Sequence, residues 1–139
     1  VIFLDTNVIS EPLRPSPNLL VVDWLDRQHI TTLGITAFTV AELRMGVAIL
    51  PDGARRETLA TRIERELLPA FEGRVASFDE PASAAWATLQ AATRARGRNL
   101  PLIDSLIAAI CISQGATLAT RNESDFEDLG IDIINPWRG

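Results

Sequence analysis

Val1-Ile2-Phe3-Leu4-Asp5-Thr6-Asn7 sets four apolar residues against an acid and two residue types that favour helix starts. A wholly apolar run this short reads as a buried strand feeding a turn or helix start. The same pattern recurs along the chain. Ile30–Ile35, Arg74–Phe78, Thr117–Thr120 and Ile131–Ile134 are the further strand candidates. Between them lie helical patterns. Ser16-Pro17 reads as an N-cap and first helical position of a helix to about Asp26, with Leu20, Val21 and Trp24 inward. Thr36 is expected to cap a helix over Ala37–Leu50, and Pro51-Asp52-Gly53 separates it from an amphipathic one carrying Leu59, Ile63, Leu67 and Leu68. Asp79-Glu80-Pro81 starts a helix stopped by Gly97, Pro101 opens an apolar helix ended by Gly115, and Asp125–Leu129 forms a short one. Strands alternating with helices predict an α/β fold, a mostly parallel sheet of four to five strands flanked by helices on both faces.

The length, 139 residues, fits one domain over residues 1–139. Composition removes several chemistries. One cysteine (Cys111) and one histidine (His29) leave no zinc site of the usual ligand count and no disulfide within the chain. All 13 basic residues are arginine, so phosphate-loop and Schiff-base lysine chemistry is absent. His29 stands in the polar stretch Asp26-Arg27-Gln28-His29, the setting of a surface residue rather than a catalytic base. The apolar start is too short for a signal peptide and no stretch reaches a membrane span, so a cytoplasmic protein with no membrane partner is expected. The net charge of −5 argues against holding nucleic acid by bulk electrostatics.

Catalysis then falls to carboxylates, and four stand where surface charges do not belong. Asp5 ends the first strand, although capping also explains it. Glu42 is the only acid in Ala37–Leu50, and Phe38, Thr39, Met45 and Gly46 one turn away offer no cation. Asp104 is the only charge between Asn99 and Thr120; a helix N-terminus favours an acid there by at most about 1 kcal/mol. Asn122 and Asp125 follow the strand Thr117–Thr120, where capping is again the competing explanation. In open parallel sheets, ligands bind beyond the carboxyl ends of the strands, where these residues cluster. Clustered carboxylates repel unless cations intervene, and an all-oxygen donor set selects Mg²⁺ or Mn²⁺. Such a set suits phosphoryl-group hydrolysis.

Val1–Ile9 resembles the opening motif of PIN-domain ribonucleases. Thr39-Val40-Ala41-Glu42-Leu43, Asp104 within Leu102–Ala109, and Thr120-Arg121-Asn122 with Asp125-Phe126 are similar to their second, third and fourth motifs, in order across essentially the whole chain. Ile9–Pro15, Phe78–Pro81 and Asn135-Pro136-Trp137 resemble the FitB-like group of VapC toxins. The resemblance implies a PIN-like three-layer domain and a Mg²⁺- or Mn²⁺-dependent endoribonuclease, the toxin of a bacterial type II toxin–antitoxin pair. It further implies a homodimer, assembling into a heterotetramer or larger with a cognate antitoxin that carries a DNA-binding domain and sends its tail into the acidic site. Residue by residue, it makes Asp5, Glu42, Asp104 and Asp125 catalytic and gives the metal to Asp5, Glu42 and Asp104, with Asn122 or Asp125 as the fourth site. The RNA substrate is expected to meet Thr6, Asn7, Arg98 and Arg121; for the neighbouring Arg94 and Arg96 a solvated helix end is an equal explanation. A different class of function also fits these residues: an antitoxin-binding subunit of a transcription-regulating complex with little or no cleavage.

Overall fold

The computed structural model describes residues 1–139. Strands β1 (Ile2–Leu4), β2 (Leu33–Thr36), β3 (Val75–Ala76), β4 (Thr117–Ala119) and β5 (Ile133–Ile134) form one sheet in the order β3-β2-β1-β4-β5. Every pairing is parallel: Ile2 faces Leu33 and Thr117, Ile35 faces Val75, and Leu118 faces Ile133. Parallel neighbours need crossovers, and helices supply them. These are α1 (Thr6–Ser10), α2 (Leu19–Asp26), α3 (Ala37–Ala48), α4 (Ala54–Thr61), α5 (Leu68–Ala70), α6 (Glu80–Ala95), α7 (Leu102–Gln114) and α8 (Glu123–Phe126). A π-helical stretch, Arg62–Leu67, runs between α4 and α5.

Strand alternation divides the core into two layers, one on each face of the sheet. Phe3 and Leu118 pack with Leu89 of α6 and Ile107, Ile110 and Cys111 of α7. Leu4 and Ala119, one residue on, turn to the other face with Val8, Val21, Trp24, Leu43 and Ile63. The three-layer α/β expectation holds. Gly34 is required by this packing, because a Cβ there would stand 2.9 Å from Cε1 of Phe3.

Element boundaries differ from the sequence reading in instructive places. The second helix begins at Leu19, and Asn18 caps it by accepting from the Leu20 N–H at 2.9 Å, leaving Ser16-Pro17 outside. Its buried residues are Val21 and Trp24, and Leu20, expected inward, is 50% exposed. Ile30–Thr32 is a 3-10 turn rather than strand, because the Thr32 N–H and hydroxyl both donate to the His29 carbonyl. The expected strand Arg74–Phe78 shrinks to two residues at the sheet edge, where only β2 is available to pair. The short helix is Glu123–Phe126, not Asp125–Leu129: Glu127 is extended and Asp128 takes a left-handed φ of 59°. No helix is long and apolar enough to cross a membrane.

Candidate functional site

β1 leads to β2 on one side of the sheet, whereas β4 leads to β5 on the other. The chain therefore parts at the carboxyl ends of β1 and β4 and leaves a crevice there. Asp5 follows β1, and Thr120-Arg121-Asn122 follows β4. The two sides are tied directly. The Asp5 N–H donates to the Ala119 carbonyl at 2.9 Å, and the Thr120 hydroxyl donates to Asp5 Oδ2 at 2.7 Å.

Asp5 is the N-cap of α1: its Oδ1 accepts from the Thr6 N–H at 2.9 Å, and its Oδ2 also takes the Asn7 side-chain amide at 3.4 Å. The carboxylate is 4% exposed, and burial drives its pKa above the ordinary value against the pull of these donors. Glu42 comes from α3, a helix that Thr36 caps by accepting from the Thr39 N–H. The Thr6 hydroxyl donates to Glu42 Oε1 at 2.6 Å and so joins the first two acids. Asp104 lies half-buried in the first turn of α7. That turn is fixed to α6 through Ser105, whose hydroxyl donates to the Leu102 carbonyl at 2.6 Å and accepts from Trp86 Nε1 at 3.0 Å.

Asp104 carries the clearest electrostatic signature. Its pKa is raised to about 6, first by burial, then by the negative charges of Asp5, Asp125 and Glu42, and by hydrogen bonding with Asp125. Asp104 thus lies in electrostatic range of three other acids, and Asp5 in range of Asp125. None of them has an ion-pair partner; the four ion pairs of the structure join Arg14–Glu11, Arg44–Glu64, Arg56–Asp52 and Arg138–Glu123. No three His, Cys, Asp or Glu side chains converge tightly enough to make a metal-holding group by themselves. The donor chemistry of the acids fits a hard divalent cation, since oxygen is all they offer and their mutual repulsion is uncompensated. Cys111 lies behind the site with its thiol pushed up to about 12 by burial and by Asp5, which excludes it as a nucleophile at neutral pH.

The remaining expected residues have diverse surroundings. Asn7 Oδ1 accepts from the Arg121 N–H at 3.3 Å, so this side chain spans both edges of the crevice. The Arg121 guanidinium lies 5.0 Å from the centre of the Trp137 ring. Asn122 is exposed at the N-cap of α8, and its side chain makes no capping bond. Arg98 donates to the main-chain carbonyls of Glu127, Ser124 (2.9 Å) and Asp125 (3.0 Å). Sequence reasoning gave no role of its own to Thr120, which it placed at the end of a strand and within the fourth motif, or to the Trp86–Ser105 pair, which it absorbed into helix faces. A hydroxyl ending an apolar strand immediately before Arg-Asn was the available signal for Thr120. A groove of about 990 Å³ opens beside Thr6 and Glu42 and runs between α3 and α4, with Arg14, Arg55 and Arg62 among its lining.

Residues 2–131 match the family described as PIN domain. The chain is 48% identical over 137 residues to plasmid stability protein StbB of Pseudomonas syringae pv. tomato, covering 99% of both. It is 47% identical over 137 residues to VapC ribonuclease Y4jK of Sinorhizobium fredii, covering 99% of this chain and 98% of that one. Among solved structures, FitAcB from Neisseria gonorrhoeae matches with a TM-score of 0.96 at 42% identity, covering 100% of each chain. FitAB bound to an IR36 DNA fragment matches at 0.95 and 42% identity, covering 99% of this chain and 96% of that one.

Proposed function

Because the chain belongs to the PIN-domain family, we propose that it is a Mg²⁺- or Mn²⁺-dependent endoribonuclease, the toxin of a toxin–antitoxin pair. The observation that carries this reading is the gathering of Asp5, Glu42, Asp104 and Asp125 at the β1/β4 crevice with no cation paired to any of them. A scaffold that only bound a partner gains nothing from unpaired, partly buried carboxylates, which cost stability. The relatives named above include a VapC ribonuclease, in keeping with this chemistry.

Asp5, Glu42 and Asp104 would hold the ion, with Asp125 as the fourth acid and Asn122 offering a neutral oxygen at the rim. When bound, the ion supplies Lewis acidity, activating the attacking water and neutralising charge on the scissile phosphate. The protein's own groups prepare the site. Thr120, Thr6 and Asn7 donate to Asp5 and fix both of its oxygens. Thr6 orients Glu42 in the same way. Asp104, its pKa raised to about 6 by burial and by the neighbouring acids, takes up a proton more readily than an ordinary carboxylate when no cation is present. Arg121, held against Trp137 at the crevice edge, meets an RNA phosphate.

We assign the groove beside Thr6 and Glu42 to the antitoxin, because its lining joins apolar residues and Arg14, Arg55 and Arg62 to Glu42 at one end; a protein segment seated there would block RNA from the acids. A complex of this kind, FitAB, is known bound to DNA; here too the antitoxin would supply DNA contact, since this chain has a net charge of −5. Incubation with structured RNAs and Mn²⁺ or Mg²⁺, with and without chelator and beside Asp104→Asn, tests the reading. Cleavage by the wild type alone, abolished by chelator, is expected. Cleavage that survives chelation or the substitution overturns the metal mechanism, and no cleavage of any RNA together with tight antitoxin binding favours a regulatory subunit.

A further inference from the structure

Arg98 lies between α6 and α7, and its side chain crosses to α8. Its starting point is fixed by the way α6 ends. Gly97 takes a left-handed φ of 69°, its N–H donates to the Arg94 carbonyl at 2.9 Å, and the Arg98 N–H reaches back to the Thr93 carbonyl at 2.8 Å. These paired bonds make a Schellman ending, which sets the direction of residue 98. Thr93 itself is buried, so the anchor belongs to the core.

The destination is a helix end that cannot satisfy itself. α8 has four residues, and the chain leaves it through extended Glu127 and left-handed Asp128. Its last carbonyls have no intrahelical partner. The Arg98 guanidinium donates to three of the carbonyls in this stretch: Ser124, Asp125 and Glu127. A planar fork meets several acceptors at once in a way that a single ammonium does not. One of those carbonyls belongs to Asp125 itself. The other end of the tether lies four residues before Leu102, where the helix carrying Asp104 begins.

We propose that Arg98 is a positioning residue that sets Asp125 against Asp104 by capping the carbonyl end of α8, and that it is not a contact for the RNA. This rests on the ribonuclease reading for its catalytic consequence but not for its effect on cation binding. Arg98 acts through Asp125, so its removal costs what misplacing that acid costs.

Four measurements on Arg98→Gln test this, with Arg98→Lys as the second variant because it keeps a cation without the fork. Mn²⁺ affinity by calorimetry is expected to fall about 10- to 100-fold, the usual cost of losing support behind a metal ligand. RNA cleavage is expected to lose a similar factor in kcat with KM unchanged. In the non-cleaving Asp104→Asn background, RNA affinity and its salt dependence stay as they were. In the Asp125→Asn background, Arg98→Gln has no further effect on Mn²⁺ affinity. Weakened RNA binding with a salt slope reduced by about one phosphate contact overturns the proposal in favour of direct substrate contact. A lowered melting temperature with Mn²⁺ affinity and kcat unchanged also overturns it, leaving Arg98 a purely structural cap. If the wild type binds Mn²⁺ and cleaves no RNA, the ribonuclease reading fails while the calorimetry still decides the role of Arg98. If Arg98→Gln does not fold, Arg98→Lys carries the same measurements.

Discussion

On the β1 side of the crevice, Asp5 sits at the mouth of a central strand, 4% exposed, with both carboxylate oxygens taken by donors from Thr6, Asn7 and Thr120. On the β4 side, Asp125 rides on a four-residue helix that borrows its fastenings. Arg98 holds the carbonyl end, Asn135 and Arg138 hold Glu123 at 3.2 and 2.9 Å, and Phe126 pins the middle into the core. The first acid is placed by the sheet, the fourth by side chains from distant segments. A carboxylate held by the sheet is costly to disturb, whereas one held by borrowed contacts can be shifted by changes far along the chain.

The contrast is broken most severely at Asp5 itself. Asp5→Asn should lower RNA cleavage more than about 100-fold, beyond the usual cost of a supporting group. In the absence of divalent ions it should leave the melting temperature unchanged or higher, because a buried charge is removed. Retained activity would mean that the β1 side does not carry the chemistry. Thr120→Val leaves the acid in place but takes away its donor from β4. We expect a 10- to 100-fold loss of activity and about 1.5–3 kcal/mol of stability measured by denaturant unfolding, since the lost bond serves a charged group. A neutral outcome would show that the two sides are not coupled through this hydroxyl.

Arg121→Ala touches only the rim on the β4 side. RNA affinity should fall a few-fold and its salt slope by about one contact, as loss of a single phosphate-binding cation requires; an unchanged slope would assign Arg121 to Trp137 alone. A pH dependence tests the electrostatics of the cluster without altering any contact. Asp104 titrates at about 6 in the fold against an ordinary 3.8, so between roughly pH 4 and 6 the folded chain keeps a proton that the unfolded chain gives up. Stability from this group is therefore lost as pH rises through that window. The melting temperature of the ion-free wild type, compared with Asp104→Asn, should fall relatively over that range, and saturating Mn²⁺ should remove the difference. A difference that grows on acidification would reverse the assigned sign.

Much of this was readable in the chain because each decisive residue contradicts its surroundings. Glu42 and Asp104 interrupt apolar helices with no cation one turn away, and Asp5 stops an apolar strand; burial makes such acids expensive, so their presence calls for a compensating role. The α/β alternation was equally plain, since strand and helix differ in period. Boundaries were less so. Ser16-Pro17 and Asn18 are all acceptable helix starts, and which one caps depends on the face that buries Val21 and Trp24. The expected role of Arg98 as a substrate contact and its proposed role as a helix cap are indistinguishable along the chain, because a lone arginine has the same appearance whether its partner is a phosphate or a carbonyl.

Period, capping residues and misplaced charge are local properties, and they determined the order of elements, the parallel sheet and the acids of the crevice. Tertiary structure alone decided which partners those residues meet: that Thr120 donates to Asp5 across 115 positions, that Asn7 accepts from the chain after β4, and that Arg98 caps a helix 26 or more residues away. Hydrogen bonds between distant segments leave no period in the chain. They form only where the sheet order brings the ends of β1 and β4 side by side.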